Sequence, residues 1–443
     1  MTACSQGARA LVPFFVSFFV ALGGEPARGQ QLPEGFRHEA SPLPLAASTV
    51  FVRSNGDVVT FDGRHLVLAA TGQPARVLLI LPTTAFGSFV IEPSLGTLVF
   101  GENSNGGVWV VPIAGPRPRT PKFRLALNYD AAVLDATHVV VSAKTTGWTT
   151  PDNEVFVLDL TTGAQSLVAT LPGPSGPVAV DDGGSVYYAT ASAPFSTPPV
   201  PSTVLRFPHT AITNAILLQT PLTTADAQLV ATGIDAAADL AFDDRGNLLF
   251  SDWFQNTIGV VLDATGPTPS LGTPLVSYGL APGAASLHFV KSTGRAVFQP
   301  FQPVGATLFV HETDYFSASQ LAIVRPARPT LTASAPSPVP AGAFAFTIDG
   351  GPALGLGVLA IASAANTAEG AFDLGFAQPL HWSLALGPAS MLLPMAFDAA
   401  GHALVAANNP GFQPAITTTA QAAFLSSTNA LGSTNPAVTT LGP

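Results

Sequence analysis

The chain has 443 residues, of which only 10% are charged, and its formal net charge is −10. Proteins bind nucleic acids and anionic membranes through clustered Lys and Arg; the sequence has no such cluster, so neither is an expected partner. Disordered chains combine low hydrophobicity with high net charge, whereas 47% of these residues are hydrophobic and Gly and Pro number 41 each. The composition therefore predicts a turn-rich globular protein.

The first 29 residues have the layout of a secretory signal peptide. Arg9 precedes a 13-residue apolar run over 11–23, and small residues at 27 and 29 precede Gln30. The run is shorter than the roughly 20 residues that cross a bilayer as a helix, and no later run is long enough. We therefore expect cleavage after residue 29, a mature chain without a transmembrane segment, and a secreted, periplasmic or cell-surface location.

The mature chain would contain no cysteine, because Cys4 lies in the leader. Disulfides, thiolate chemistry and Cys-based metal sites are then excluded. Residues 30–45 are predicted to be a linker that leads into the first domain.

A strand-turn-strand unit recurs over residues 46–326. Five copies share an apolar strand, a turn and a second apolar strand, and they are FVIEPSLGTLVFGEN from Phe89, AVLDATHVVVSA from Ala132, VAVDDGGSVYYAT from Val178, LAFDDRGNLLFSDW from Leu240 and LHFVKSTGRAVFQP from Leu287. A looser copy starts at Thr49, and further strand-like runs follow the copies. Four short strands per unit of about 40–50 residues are typical of a β-propeller. The pattern predicts an all-β chain with a six-bladed β-propeller over 46–326 and no amphipathic helix.

The copy that starts at Leu240 carries a more specific pattern. Residues 243–252 read DDRGNLLFSD, and residues 181–184 read DDGG. These segments resemble the NHL / SMP-30-like superfamily of six-bladed propellers. The resemblance implies the fold, and for lactonase-like members it implies a divalent metal held by Asn and Asp where the innermost strands begin.

Those metal-ligand positions differ in this chain. They hold Ala, Gly and Ser, and the nearby acidic residues are Asp239 and, further away, Asp130. A hard cation needs several oxygen ligands. We therefore predict no cofactor, and we keep a metal-dependent, lactonase-like hydrolase or lyase that acts in the propeller channel through Asp130 and Asp239 as the alternative function.

Other acidic residues have a structural interpretation. Asp181, Asp182, Asp243 and Asp244 lie in Asp-x-x-Gly turns, where the carboxylate binds turn amides and Gly adopts a positive φ. The run HETD at 311–314 contains metal-binding residue types, but neighbouring side chains of a strand point to opposite faces, so it does not predict a zinc site.

The amino-acid composition of the chain changes after the repeats. Residues 327–341 are Pro-rich and are predicted to be a linker, and residues 342–443 contain no Lys or Arg and about eight strand-like runs. These runs predict a C-terminal β-sandwich. The last part also resembles a C-terminal β-sandwich module of exported bacterial proteins, through its Gly-rich start at 340–342, the turn at 398–401, Thr-x-Gln at 419–421 and Thr-Asn at 428–429. The alternative is an eight-bladed ring, because MAFDAAGHALVAANN from Met395 also resembles a blade.

The loops between the second and third strands of the blades are the preferred functional candidates. In propellers of this type they lie on the face where the innermost strands begin, and loops on a rigid scaffold concentrate binding residues. The candidate ligand-binding residues in them are Glu102, Asn103, Trp148, Asp152, Asp252, Trp253, Asn256 and Gln299. Aromatic and amide side chains suit sugars or extended peptides. The main hypothesis is therefore an exported, monomeric, non-catalytic protein that binds a glycan or a protein, with no catalytic or metal-binding residues.

Overall fold

A computed structural model gives the fold of most of the chain. It describes residues 32–33, 35–42, 49–70, 72–145, 152–173, 176–190, 201–278, 283–291, 298, 300–301, 306–313, 319–327, 329–334, 337–363, 391–426, 431–434 and 437–443. The predicted signal peptide lies outside these residues, as do Trp148 and Gln299. In the described ranges, no helix is both long and apolar enough to cross a membrane.

Six antiparallel sheets of four or five strands follow one another along the chain, as predicted. After β1 (Phe36–Pro42), blade 1 contains β2 (Thr49–Val52), β3 (Val58–Phe61), β4 (His65–Ala69) and β5 (Arg76–Ile80). Blade 2 contains β6 (Gly87–Ser94), β7 (Thr97–Glu102), β8 (Gly107–Pro112) and β9 (Phe123–Arg124). Blade 3 contains β10 (Asp130–Val133), β11 (His138–Ala143), β12 (Asp152–Asp159) and β13 (Gln165–Pro172).

The remaining blades repeat this order. Blade 4 contains β14 (Val178–Val180), β15 (Val186–Ala189), β16 (Ser202–Phe207) and β17 (Gln228–Ile234). Blade 5 contains β18 (Ala237–Phe242), β19 (Leu248–Asp252), β20 (Thr257–Leu262), β21 (Ser270–Leu271) and β22 (Val276–Ser277). Blade 6 contains β23 (Gly283–Val290), β24 (Thr307–Thr313) and β25 (Ser319–Pro326) together with β1. The first strand of each repeat (β2, β6, β10, β14, β18 and β23) lines the centre of the ring.

The turn chemistry read from the sequence is confirmed for Asp181 and Asp243, whereas Asp182 pairs with Lys291 and Asp244 accepts the N–H of Phe298. The Asp181 carboxylate accepts the N–H groups of Gly183 and Ser185, at 2.9 and 2.8 Å, while Gly184 has a φ of 76°. Asp243 binds its own turn amides in the same way. Each carboxylate satisfies backbone donors that the hairpin leaves unpaired, so these acidic residues stabilise the turn.

Strand β1 corrects the prediction of a linker over 30–45. It pairs with β25 along its whole length, from Phe36 opposite Pro326 to Pro42 opposite Gln320. The outer strand of blade 6 therefore comes from the N-terminal side of the chain, and this pairing closes the ring. Because β1 covers an outer edge, its sequence lacks the long apolar run that identifies the inner strands.

Apolar clusters join neighbouring blades. Five clusters contain buried residues from blades 1 and 2, 2 and 3, 3 and 4, 4 and 5, and 5 and 6. At the junction of blades 6 and 1, the ring of His288 meets Phe51 edge-on, with centroids 5.1 Å apart. The propeller core is thus a ring of interfaces rather than one central cluster.

The helix α1 (His209–Leu218) and a 3₁₀ turn (Thr224–Asp226) lie between β16 and β17. The sequence predicted no amphipathic helix after the leader, and α1 is a helix that lacks that pattern. Only Ile212 and Ala215 of α1 are buried, so the helix has no wide apolar stripe that the sequence pattern would reveal.

The C-terminal part is a β-sandwich. One sheet contains β26 (Thr330–Ala333), β27 (Gly342–Asp349) and β30 (Ala403–Asn409), and the other contains β28 (Leu356–Ser363), β29 (Met391–Ala396), β31 (Ile416–Leu425), β32 (Leu431–Ser433) and β33 (Ala437–Leu441). Buried residues of both sheets form one cluster. Strand β26 lies within 327–341, so part of the predicted linker belongs to the sandwich.

The strand pairing excludes the eight-bladed alternative. The hairpin that resembled a blade would pair β29 with β30, but β29 pairs with β28 and β30 pairs with β27 in the other sheet. The sandwich core also receives Phe301 from the sixth repeat, whose ring meets Phe424 edge-on with centroids 5.4 Å apart.

Candidate functional site in the propeller channel

The inner strands surround a cavity of about 670 Å³ that extends along the ring axis. An inner strand has no partner on its axial edge, so its backbone N–H and C=O groups face this cavity. Buried backbone groups need hydrogen-bond partners. The side chains that supply them define the polar part of the site.

Asp130 and Asp239 bridge neighbouring inner strands. The Asp130 carboxylate accepts the N–H of Ala131 at 2.7 Å and that of Val178, in blade 4, at 2.8 Å. The Asp239 carboxylate accepts the N–H of Leu240 at 2.7 Å and that of Leu287, in blade 6, at 2.6 Å. Both carboxyl groups line the cavity, with Asp239 only 8% exposed.

The two carboxyl groups interact with each other. Burial raises the pKa of Asp130 to about 7, although bonds from backbone N–H groups oppose the shift. Burial and, secondly, the charge of Asp130 raise the pKa of Asp239 well above its ordinary value. Two carboxylates that share a site do not both ionise readily. The pair therefore holds at least one proton near neutral pH.

Tyr129 connects this pair across the ring. Its hydroxyl donates to the carbonyl of Ala238, in blade 5, at 3.0 Å. The ladder between β18 and β19 is irregular between Ala237 and Asp239, and such a bulge redirects side chains. The channel mouth thus places Asp130, Tyr129 and Asp239 together at the start of the inner strands.

The cavity also contains hydroxyl groups that the described residues leave unsatisfied. Thr49 Oγ1 and Ser286 Oγ are buried, line the cavity and have no hydrogen-bond partner within the described part of the chain. Each hydroxyl can donate one hydrogen bond and accept others. An unpaired buried hydroxyl costs about 1–3 kcal/mol, so a bound polar ligand would stabilise both.

Two neutral histidines complete the wall. The ring of His288 bonds to the carbonyl of Val50 at 2.5 Å, and burial lowers its pKa to about 4. Burial and, to a smaller extent, His288 lower the pKa of His311 to about 4. Both rings are therefore uncharged at neutral pH, and His288 serves as a bridge between blades 6 and 1.

The channel residues do not fit a divalent metal. The described residues contain no group of three or more His, Cys, Asp and Glu side chains that could hold an ion. All four carboxylate oxygens of Asp130 and Asp239 already accept a backbone N–H. A hard cation takes six to eight oxygen ligands, so we derive no chemical step through a metal.

The loop residues have mostly local partners. The Glu102 carboxylate accepts the N–H groups of Asn105 and Gly107, at 2.8 and 2.9 Å. The Asp252 carboxylate accepts those of Phe254 and Gln255, both at 3.1 Å. These contacts favour the structural interpretation of Glu102 and Asp252, because their carboxylates stabilise their own loops.

The other described loop candidates do not come together at the channel. Asn103 lines the cavity, and it is the only one of the six described loop candidates that does so. Asp152 accepts a bond from Lys144 through its carbonyl, and Trp253 is half-buried. Asn256 has a φ of 51° and accepts the Tyr278 N–H through its carbonyl. The structure thus brings Asn103 to the channel and leaves the others in their loops.

The sequence did not identify Tyr129, Thr49, Ser286, His288 or His311 as channel residues. Thr49 and His288 lie within repeat copies, Ser286 and Tyr129 lie one and three residues before a copy, and His311 lies on β24. For the first four, only their position near the start of an innermost strand could have identified them.

Similarity to known proteins is found among solved structures. No protein-family model matches the chain, and no curated protein matches it. Similar solved structures include a calcium-binding protein, regucalcin, from Agrobacterium tumefaciens (14% identity, 68% of this chain and 96% of that one, TM-score 0.43). A gluconolactonase from Xanthomonas campestris (13%, 68% and 98%, 0.41) and a virginiamycin B lyase from Staphylococcus aureus (9%, 66% and 99%, 0.39) are also similar. Identities this low carry no activity over to this chain.

Proposed function

We propose that the protein is an exported hydrolase that cleaves a lactone or a related ester at the channel mouth, with Asp130 and Asp239 as its acid-base pair and without a metal. One observation carries the proposal: two carboxyl groups line one cavity, burial raises the pKa of both, and the charge of Asp130 adds to the shift of Asp239. This replaces the glycan- or protein-binding hypothesis, because Asn103 is the only one of the six described loop candidates that lines the channel. Export rests on the predicted signal peptide.

The pair can supply both proton transfers of ester hydrolysis. The ionised carboxylate accepts a proton from water while the water oxygen bonds to the carbonyl carbon. The neutral carboxyl group donates its proton to the ester oxygen as the carbon–oxygen bond breaks, which leaves a hydroxy acid or an acid and an alcohol. The proton has then moved from one carboxyl group to the other. The unpaired hydroxyls of Thr49 and Ser286 are donors for the carbonyl oxygen, where negative charge develops.

Substitution of either carboxyl group tests the proposal. With a panel of lactones and p-nitrophenyl esters, we expect hydrolysis by the unsubstituted protein and a loss of about 100-fold in kcat/KM for Asp130→Asn and for Asp239→Asn. The matched control is Asp135→Asn, in the same blade, whose half-exposed carboxylate binds turn amides. Activity that is equal in all four proteins contradicts the proposal, as does hydrolysis of no member of the panel.

Further measurements distinguish a loss of catalysis from a loss of folding and test the mechanism. Circular dichroism establishes that each variant retains the strands. In the unsubstituted protein, the dependence of kcat/KM on pH should be bell-shaped around neutral pH, because one carboxyl must be ionised and the other protonated. Activity that EDTA abolishes and a divalent cation restores would overturn the metal-free mechanism.

A further inference from the structure

An apolar band surrounds the channel beyond the carboxyl pair. Each inner strand contributes at least one half-buried apolar residue that lines the cavity, and the largest on each strand are Phe51, Ile91, Val133, Val180, Phe242 and Phe289. Val133 and Phe242 lie three residues beyond Asp130 and Asp239 along the same strands. At about 3.3 Å per residue, the band is about 10 Å from the carboxyl groups.

An ion pair lies beyond the band. The Lys291 ammonium donates to both carboxylate oxygens of Asp182, at 2.5 and 2.7 Å. Lys291 follows β23 of blade 6 and Asp182 follows β14 of blade 4, so their side chains meet past the intervening blade 5. Both residues line the cavity. The pair spans part of the solvent-facing far opening of the channel, since the Asp182 side chain is 90% and the Lys291 side chain 48% exposed, and it lies two residues or about 7 Å beyond Phe289 and Val180.

We propose that the channel binds an unbranched alkyl or acyl chain, with the scissile carbonyl at Asp130 and Asp239, the chain along the apolar band, and the Asp182–Lys291 pair as its floor. The inference rests on the proposed function and names its substrate class: esters or lactones with a medium-length hydrocarbon chain. Burial of a methylene group contributes at most about 0.8 kcal/mol. Because the band residues are only half-buried, we expect about a two-fold gain per methylene.

The dependence of kcat/KM on chain length tests the substrate class. In the series p-nitrophenyl acetate, butyrate, octanoate, dodecanoate and palmitate, kcat/KM should rise by about two-fold per methylene up to the middle of the series. It should fall at palmitate, whose chain is long enough to reach the ion pair. If acetate and octanoate are hydrolysed equally and the Asp130→Asn loss persists, the chain site is wrong while the proposed function stands. If no ester is hydrolysed, the proposed function itself fails.

Two sets of variants test the apolar band and the Asp182–Lys291 floor independently. Val180→Thr adds a hydroxyl to the band with little change in volume, and it should lower kcat/KM for octanoate several-fold while leaving acetate unchanged. The control is Val438→Thr, at an exposed position of the sandwich. Asp182→Ala and Lys291→Ala should restore hydrolysis of palmitate without affecting acetate. Palmitate hydrolysis that stays low in both floor variants overturns the assignment of the floor.

Discussion

In a Glu312→Ala variant, the backbone amides of β1 should exchange with solvent about 100-fold faster than in the unsubstituted protein, because loss of a buried acceptor leaves two hydrogen-bond donors unsatisfied at a cost of about 1–3 kcal/mol each. Glu312 is 1% exposed and lies on β24. Its carboxylate accepts the His38 ring N–H, from β1, at 2.6 Å and the Gln320 amide, from β25, at 2.7 Å. The variant would leave both groups without this acceptor at the strand that closes the ring.

An exposed ion pair at the closing strand is the control. Arg325 and Glu39 connect β25 with β1, and each side chain is 49% exposed. Exposed ion pairs contribute about 0–1 kcal/mol, so Glu39→Ala should change exchange by less than about five-fold. Hydrogen exchange with mass spectrometry over residues 36–42 measures both. Equal acceleration in the two variants would show that Glu312 does not hold the closing strand in place.

The propeller was predictable because its repeat is local. An apolar strand, an Asp that binds turn amides and a Gly with positive φ recur within about 15 residues, as at Asp243 and Gly246. The closing strand β1 was not predictable, because its partner β25 lies nearly 300 residues away. Its alternation is weak, and no local rule identifies an outer strand that pairs across such a separation.

The candidate site was predictable only in part. The family resemblance directed attention to Asp130 and Asp239 as the acidic residues near the beginning of inner strands, and the structure places both in the channel. Their interaction depends on the curvature of the ring, which brings blades 3 and 5 to one cavity. Likewise, Glu102 and Asp252 resembled surface ligands in the sequence, but folding of their own loops satisfies their carboxylates.

The stability of the fold should depend on pH, because the channel contains two kinds of buried titratable group. Burial lowers the pKa of His288 and His311 to about 4, so between about pH 4 and 6.5 the unfolded chain binds more protons at these residues. Their contribution to stability is therefore lost as the pH falls. The pKa values of Asp130 and Asp239 are raised, so the folded state binds more protons there. The contribution of Asp130 is lost as the pH rises through about 7, and that of Asp239 is lost in the same direction.

These opposing slopes predict a stability curve that is nearly level between pH 5 and 6.5 and falls as the pH rises from 6.5 through about 7. Each group contributes up to about 1.4 kcal/mol per pH unit within its window. Carboxylates with lowered pKa, such as Asp62 and Asp135, act only at lower pH. The midpoint of urea unfolding, measured at pH 5, 6.5 and 8, reports the curve. Asp239→Asn should flatten the fall above pH 6.5, whereas a His288→Gln, His311→Gln double variant should make stability fall steadily from pH 5. Parallel curves for all three proteins would mean that these groups are equally protonated in the folded and unfolded chains, and the carboxyl pair would then lose its physical basis as an acid-base pair.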